Sequence, residues 1–173
     1  VDDLTPILTG VLSAAASTLN DEARGPGRVE LTPGAVPAWD DCCSGQLYLR
    51  TINIFPTAGK ESPFPQVDSR QRGPVDAACK VHAYGVHIGL GVLRCAATVN
   101  DQGQAPSSAQ VTNDAVLMYT DSRSLLAVLL CDVPSVRGVH QMKLGQWSPL
   151  GVEGGCMGGE WDAFIMVSAC GCE

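Results

Sequence analysis

The residues of this chain best equipped for chemistry are its eight cysteines and three histidines. The cysteines are Cys42, Cys43, Cys79, Cys95, Cys131, Cys156, Cys170 and Cys172. A zinc knuckle needs C-x-x-C pairs, and neither Cys42-Cys43 nor Cys170-x-Cys172 has that spacing. An even count permits disulfides in an oxidising compartment, and it equally permits small buried apolar side chains. Cys95 and Cys131 sit inside apolar segments, which favours the buried reading for both. A cysteine nucleophile needs a base within reach. The histidines are His82, His87 and His140. His82 and His87 are five positions apart, so on a strand they face opposite ways and share no ligand. His87 and His140 fall on strands that could be neighbours, but spacing alone does not pair them. Asp2-Asp3 and Asp40-Asp41 read as solvated cap or turn carboxylates, not as an acid and base pair.

The glycines could do chemistry only through their backbone. Gly85, Gly89 and Gly91 do not match the dinucleotide fingerprint and lie within a strand pattern. The run from Gly154 and Gly155 to Gly158 and Gly159 could form an anion nest, but it lacks a lysine and precedes a strand. There is no G-x-S-x-G elbow, Walker A loop or H-E-x-x-H pair. The expectation is a protein that is not an enzyme and needs no cofactor or metal.

The elements that must hold these residues follow from periodicity. Leu4, Ile7, Leu8, Val11, Leu12, Ala15 and Leu19 share one helical stripe, with Pro6 in the first turn. Residues 21–41 read as an extended connection pinned by Trp39. Residues 45–55 read as a strand ended by Pro56, with Leu47 and Leu49 on one face and Ile52 and Ile54 on the other. Residues 56–75, which include Phe64, form a long loop or arm, and loops of that length are usually functional or disordered.

The clearest alternation lies within 79–97. Tyr84, Val86, Ile88, Leu90 and Val92 face one way; Ala83, Gly85, His87, Gly89 and Gly91 face the other. A row of glycines weakens a strand, so close approach by a helix or a neighbouring subunit is expected over it. Pro106 opens a second helix reaching to about Leu130, with Val111, Ala115, Met118, Ser122, Leu125, Leu126 and Leu129 at helical spacing. Residues 136–147 and 160–169 are closing strands joined by a Gly-rich loop of about eleven residues, longer than a tight turn. In the last strand Trp161, Ala163, Ile165 and Val167 alternate with Glu160, Asp162, Phe164 and Met166. The predicted fold is a single α+β domain over 1–173, with a mainly antiparallel sheet of about four strands flanked by two helices.

The net charge of −7 argues against a domain that grips phosphates, though not against one that surrounds DNA. No apolar run approaches the length of a bilayer span, so no membrane partner is expected. The first residues carry Asp2 and Asp3 and no basic stretch, so no signal peptide is read there.

Three segments together resemble small neck proteins of long-tailed, siphovirus-type phages that infect actinobacteria. They are Trp39-Asp-Asp-Cys-Cys43 before a strand, Leu93-Arg-Cys-Ala-Ala97 at the end of the long strand, and Trp147-Ser-Pro-Leu-Gly through Gly154-Gly-Cys-Met-Gly-Gly-Glu-Trp161. Within that group the element order resembles the tail-terminator family, and the resemblance covers about Leu4 to Cys170. It implies a virion structural protein at the tail–neck junction, assembled in the host cytoplasm as a homo-oligomeric, hexameric ring. Its implied partners are the tail tube protein and the neck stopper or connector protein, with genome DNA passing through the lumen without specific binding. Gly85, Gly89 and Gly91 are then candidate subunit contacts, and Phe64 with Gly154, Gly155, Gly158 and Gly159 candidate contacts to adjoining rings. An acidic lumen would let DNA slide. The alternatives are another connector ring, stopper or adaptor, and a disulfide-rich secreted binding domain.

Overall fold

The alternating apolar residues of the long central strand pack beneath two helices, and the rest of the architecture follows from that contact. The computed structural model describes residues 4–34, 42–59, 62–65 and 83–168. Helix α1 (Leu4–Asp21) is followed by strand β1 (Arg28–Pro33), a 3₁₀ turn (Cys42–Ser44), β2 (Gln46–Gly59), β3 (Ser62–Pro65) and β4 (Ala83–Cys95). Helix α2 (Ser108–Ala127) continues into a π turn (Val128–Asp132) and a 3₁₀ turn (Val133–Ser135) before β5 (Val139–Glu153) and β6 (Cys156–Ser168).

The sheet order is β1-β2-β4-β6-β5, with β3 paired to β2 alone. The α+β class is as expected, but the sheet is mixed and larger than four strands. The extra strand β1 lies inside the stretch read as a connection and runs parallel to β2. A parallel pair needs a crossover of about a dozen residues, and positions 34–45 supply it. β2 also runs through Pro56, which is the partner of Tyr84. β1 pairs with β2 only as far as Thr51 and β3 only from Thr57, so Pro56 falls where neither pairs with β2 and proline is tolerated.

One face of the sheet carries the main core. Ile7, Leu8, Val11, Leu12, Ala15 and Leu19 of α1 meet Leu47 and Leu49 of β2, Val86, Ile88, Leu90 and Val92 of β4, and Ala163, Ile165 and Val167 of β6. Leu125, Val128, Leu129 and Val133 complete it from the α2 side. At about 1.5 to 3 kcal/mol per buried aliphatic side chain, this layer is the largest favourable contribution to folding. A register shift between Thr51 and Asn53 changes which β2 side chains face the helices. Ile54, expected opposite Leu47, therefore stands across from Val86 and is 53% exposed.

Helix α2 begins with a capping box in which Ser107 and Gln110 satisfy each other's free backbone N–H groups. Its buried residues, Asp121, Ser124 and Leu125, all belong to the second half. Val111, expected on the packed stripe, is exposed, as are Val116 and Tyr119. The first half of α2 is thus packed on one side only: Ala115 and Leu117 are half-buried and Asp114 accepts from the Ala97 N–H at 2.7 Å, while Val111 and Val116 face outward.

The connection between the last two strands is much shorter than its glycine content suggested. β5 continues to Glu153, β6 starts at Cys156, and those two residues are paired. Gly154 (φ +58°) and Gly155 (φ +81°) form the whole turn. Positive φ at both central residues is the hairpin turn whose twist matches the strands, and it selects glycine. The longer reading failed because Ser148-Pro149 and Gly158-Gly159 looked like loop residues, whereas all four lie within paired strand. Three register shifts along β5 absorb the mismatch.

Trp39, His82, Cys79, Cys170, Cys172, the Asp2-Asp3 and Asp40-Asp41 pairs and positions 66–75 of the expected arm lie outside the described residues. Phe64 is placed on β3, but its side chain is outside the described residues too.

Candidate functional site: the open face of the sheet

The face of β4 that lacks side chains is filled from its two neighbours. Gly85, Gly89 and Gly91 face the side away from the helices, together with His87. A Cβ built on Gly89 would lie 2.4 Å from the carboxyl carbon of Glu160, and one on Gly91 would lie 2.4 Å from the Tyr48 hydroxyl. Close approach is thus the reason for these two glycines, and the approaching groups are this chain's own side chains from β6 and β2. Gly158 serves the same end between backbones, since its Cβ would meet the Val92 carbonyl oxygen. On the helix face, Gly159 leaves room for the ring of Trp147, which packs at 5.8 Å from Trp161. The Trp161 indole N–H donates to the Ser122 carbonyl at 2.8 Å, tying β6 to α2.

Laid on the glycines is a row of charged pairs. Arg50 donates from Nε and Nη2 to the two oxygens of Glu160, each at 2.7 Å, and from Nη1 to the Gly34 carbonyl at 2.7 Å. The bidentate geometry is the strong form of this pairing, and the bond from Glu160 holds the Arg50 guanidinium still more firmly protonated. Tyr48 is buried beside the pair, with its hydroxyl close to the Glu160 carboxylate. Burial first, and the Glu160 carboxylate second, push its phenol far above the ordinary value of 10. Farther along, His87 Nε2 lies 3.1 Å from an Asp162 oxygen, with Phe164 stacked on the imidazole at 4.3 Å. β6 separates β4 from β5, so His87 and His140 are not on adjacent strands.

Two further clusters anchor the ends of the elements. The Asp121 carboxylate is fully buried and is held by Arg24 and by Arg94, whose Nε lies 2.8 Å away. Arg94 also donates to the Arg24 carbonyl at 2.7 Å. The clamp joins the end of α1, the end of β4 and the middle of α2. At the same end of the sheet, Cys42 is bonded to Cys156 and Cys43 to Cys95. Cys95 is therefore not the buried apolar side chain its surroundings suggested. Cys131 is a free thiol but is exposed, which overturns that reading for it as well. Among the described residues no group of three or more His, Cys, Asp or Glu side chains could hold a metal ion as they stand.

The charged groups of the open face are bonded to one another. Two grooves, of about 390 and 360 Å³, are lined by residues on the helix side, Ala14 and Ser135 in one and Arg24 and Arg123 in the other. Of the sequence-derived contact residues, Gly85, Gly89, Gly91 and Gly158 share the open face and Gly159 lies on the other. Gly154 and Gly155 stand at the cysteine end of the sheet. Arg50, Tyr48, Glu160 and Asp162 were not singled out from the sequence. The available signal was a charged residue, Arg50, inside an otherwise apolar strand, opposite a row of glycines. The chain matches no protein-family model and no curated protein. Among the described residues no helix is long and apolar enough to cross a membrane.

Proposed function

We propose that this chain is a virion structural protein of the head-to-tail junction, the tail terminator whose ring caps the tail tube and joins it to the neck. A cyclic ring requires two different contact patches on each subunit, because its interfaces are heterologous. The observation that carries the reading is a pair of separate exposed apolar patches. Val29 and Leu31 stand on the edge strand β1, 45% and 38% exposed. Val111, Val116 and Tyr119 stand exposed on α2, which packs on β6 and β4, away from β1. The internally paired charges of the open face fit a rigid wall. The net charge of −7 fits a lumen along which DNA slides. The finer assignment to a tail-terminator-like fold and a hexamer rests on the family resemblance.

The test is to mix the purified chain with tail tubes of a long-tailed actinobacteriophage and image the tube ends. Caps of ring shape are expected, and Tyr119→Asp should abolish them while leaving the monomer folded. A chain that stays monomeric with tubes present would overturn the reading.

A second reading, a secreted binding domain held by disulfides, is favoured by the Cys42–Cys156 and Cys43–Cys95 bonds. Mass analysis after thiol blocking in intact virions separates the two. Fully paired cysteines favour secretion, and free or metal-bound thiols favour cytoplasmic assembly.

A further inference from the structure

The four paired cysteines are not two separate staples. Cys95 and Cys156 are direct partners in the β4–β6 ladder, so their side chains leave the same face of the sheet next to each other. Cys42 and Cys43 are adjacent in one 3₁₀ turn, and each is bonded to one member of that cross-strand pair. All four sulfurs thus converge at one corner. No C-x-x-C spacing announces this, because two ligands come from one turn and two from different strands. The corner is shaped around them. Cys42 and Cys156 are buried with Tyr48 and Leu93, and Leu150 packs against the group. Gly45 turns with φ +81° directly after the 3₁₀ turn, and the Gly154-Gly155 turn directly precedes Cys156.

We propose that Cys42, Cys43, Cys95 and Cys156, when reduced, form a tetrahedral four-thiolate site for one zinc ion. The inference rests on the cytoplasmic assembly proposed above, since disulfides do not persist in that compartment and clustered cysteines there hold metal instead. The balance is simple. A low-molecular-weight thiol reductant supplies four electrons and four protons, becoming disulfide itself, and the two protein disulfides become four thiols. Zinc then displaces four protons and is bound by four thiolates. With Zn–S bonds of about 2.3 Å, sulfurs in a tetrahedron stand about 3.8 Å apart. Each bonded pair must open by less than about 2 Å, a movement within reach of side-chain rotation at a three-residue turn and two strand ends. The metal would keep the Cys42–Ser44 turn fastened to β4 and β6 where disulfides would be lost.

The experiment purifies the full chain from a reducing cytoplasm without oxygen and measures metal per chain. It then maps alkylation of each cysteine before and after a strong chelator. About one zinc per chain is expected. Cys42, Cys43, Cys95 and Cys156 should be protected until the metal is stripped, while Cys131 reacts throughout. Cobalt added in place of zinc should give the absorption of a tetrahedral thiolate complex. Cys43→Ser and Cys95→Ser should each lose the stoichiometric metal, and Cys131→Ser should keep it. The proposal is overturned if the reduced wild-type chain is metal-free and all four cysteines react as fast as Cys131. It is equally overturned if the metal is protected by other cysteines, or if it is iron. The alkylation map needs no variant, so misfolding of a variant does not decide the matter. Tube capping is scored separately: caps without zinc sink only this inference, and zinc without caps sinks the ring reading.

Discussion

The two faces of the sheet solve the same packing problem in opposite ways. On the helix face, branched side chains from β2, β4 and β6 fill the space up to α1 and α2, with the Asp121 clamp and the Trp161–Ser122 bond as polar additions. On the open face, β4 contributes almost no side chain, and the neighbouring strands lay Tyr48, Arg50 and Glu160 across its glycines. One layer is held by apolar area and the other by directed bonds over bare backbone. The lesson is that a glycine-rich strand face need not be an interface awaiting a partner. It can be the floor on which a polar row of the same chain rests.

Substitutions can break or sharpen this comparison. The largest effect belongs to the helix face: Ile88→Ala, fully buried, should lower the unfolding free energy by about 4 kcal/mol in urea titration. On the open face, Arg50→Met strands the nearly buried Glu160 carboxylate and should cost about 3 kcal/mol. The double variant Arg50→Met with Glu160→Met should recover most of that loss. If it does not, the polar row is more than a replaceable filling. Gly91→Ala should cost about 2 kcal/mol, since the new methyl group meets the Tyr48 ring and the Gly159 carbonyl oxygen. Gly103→Ala, with open space around it and φ +77°, separates the cost of crowding from the cost of a left-handed backbone.

The smallest effect at neutral pH is that of Tyr48→Phe, which removes a buried hydroxyl beside the Glu160 carboxylate and should cost about 1 kcal/mol. Its signature is in alkali. The folded-state pKa of Tyr48 is raised above the ordinary 10, so the unfolded chain loses that proton first. Stability from this group is therefore whole below pH 10 and falls as pH rises above it. Denaturant midpoints measured at several pH values from neutral to above 10 should decline less steeply in the variant. An unchanged slope would mean that the phenol is not held as the geometry indicates.

Much of the helix face was legible in the sequence, because amphipathic periods of 3.6 and 2 report burial directly. The α1 stripe, the apolar set of β4 and the phase of β6 all follow from that rule. The exposure of Val111 was not legible, since it satisfies the helical period whether or not anything covers it. β1 was missed because Arg28–Pro33 is short and stands between Gly-Pro-Gly and Pro-Gly. The shift at Thr51 and Asn53 also escaped, as an inserted residue leaves no mark in a β-branched run. For the open face, the glycine row announced that something must lie close, but only the strand order could say what. The cysteine corner had no signature in spacing, because Cys95 and Cys156 meet across a ladder.

The strand order has a consequence for how the protein is made. β6, which follows both of its partners in the chain, is not an edge; it sits between β4 and β5 and pairs with both along most of its length. Until residue 168 is free, the inner edge of β4 is unpaired and β5 has no sheet to join. Until then β1, β2 and β4 stand apart from β5, without the strand that joins them. Folding is a late, nearly all-or-none event governed by contacts distant in sequence, which are slow to form.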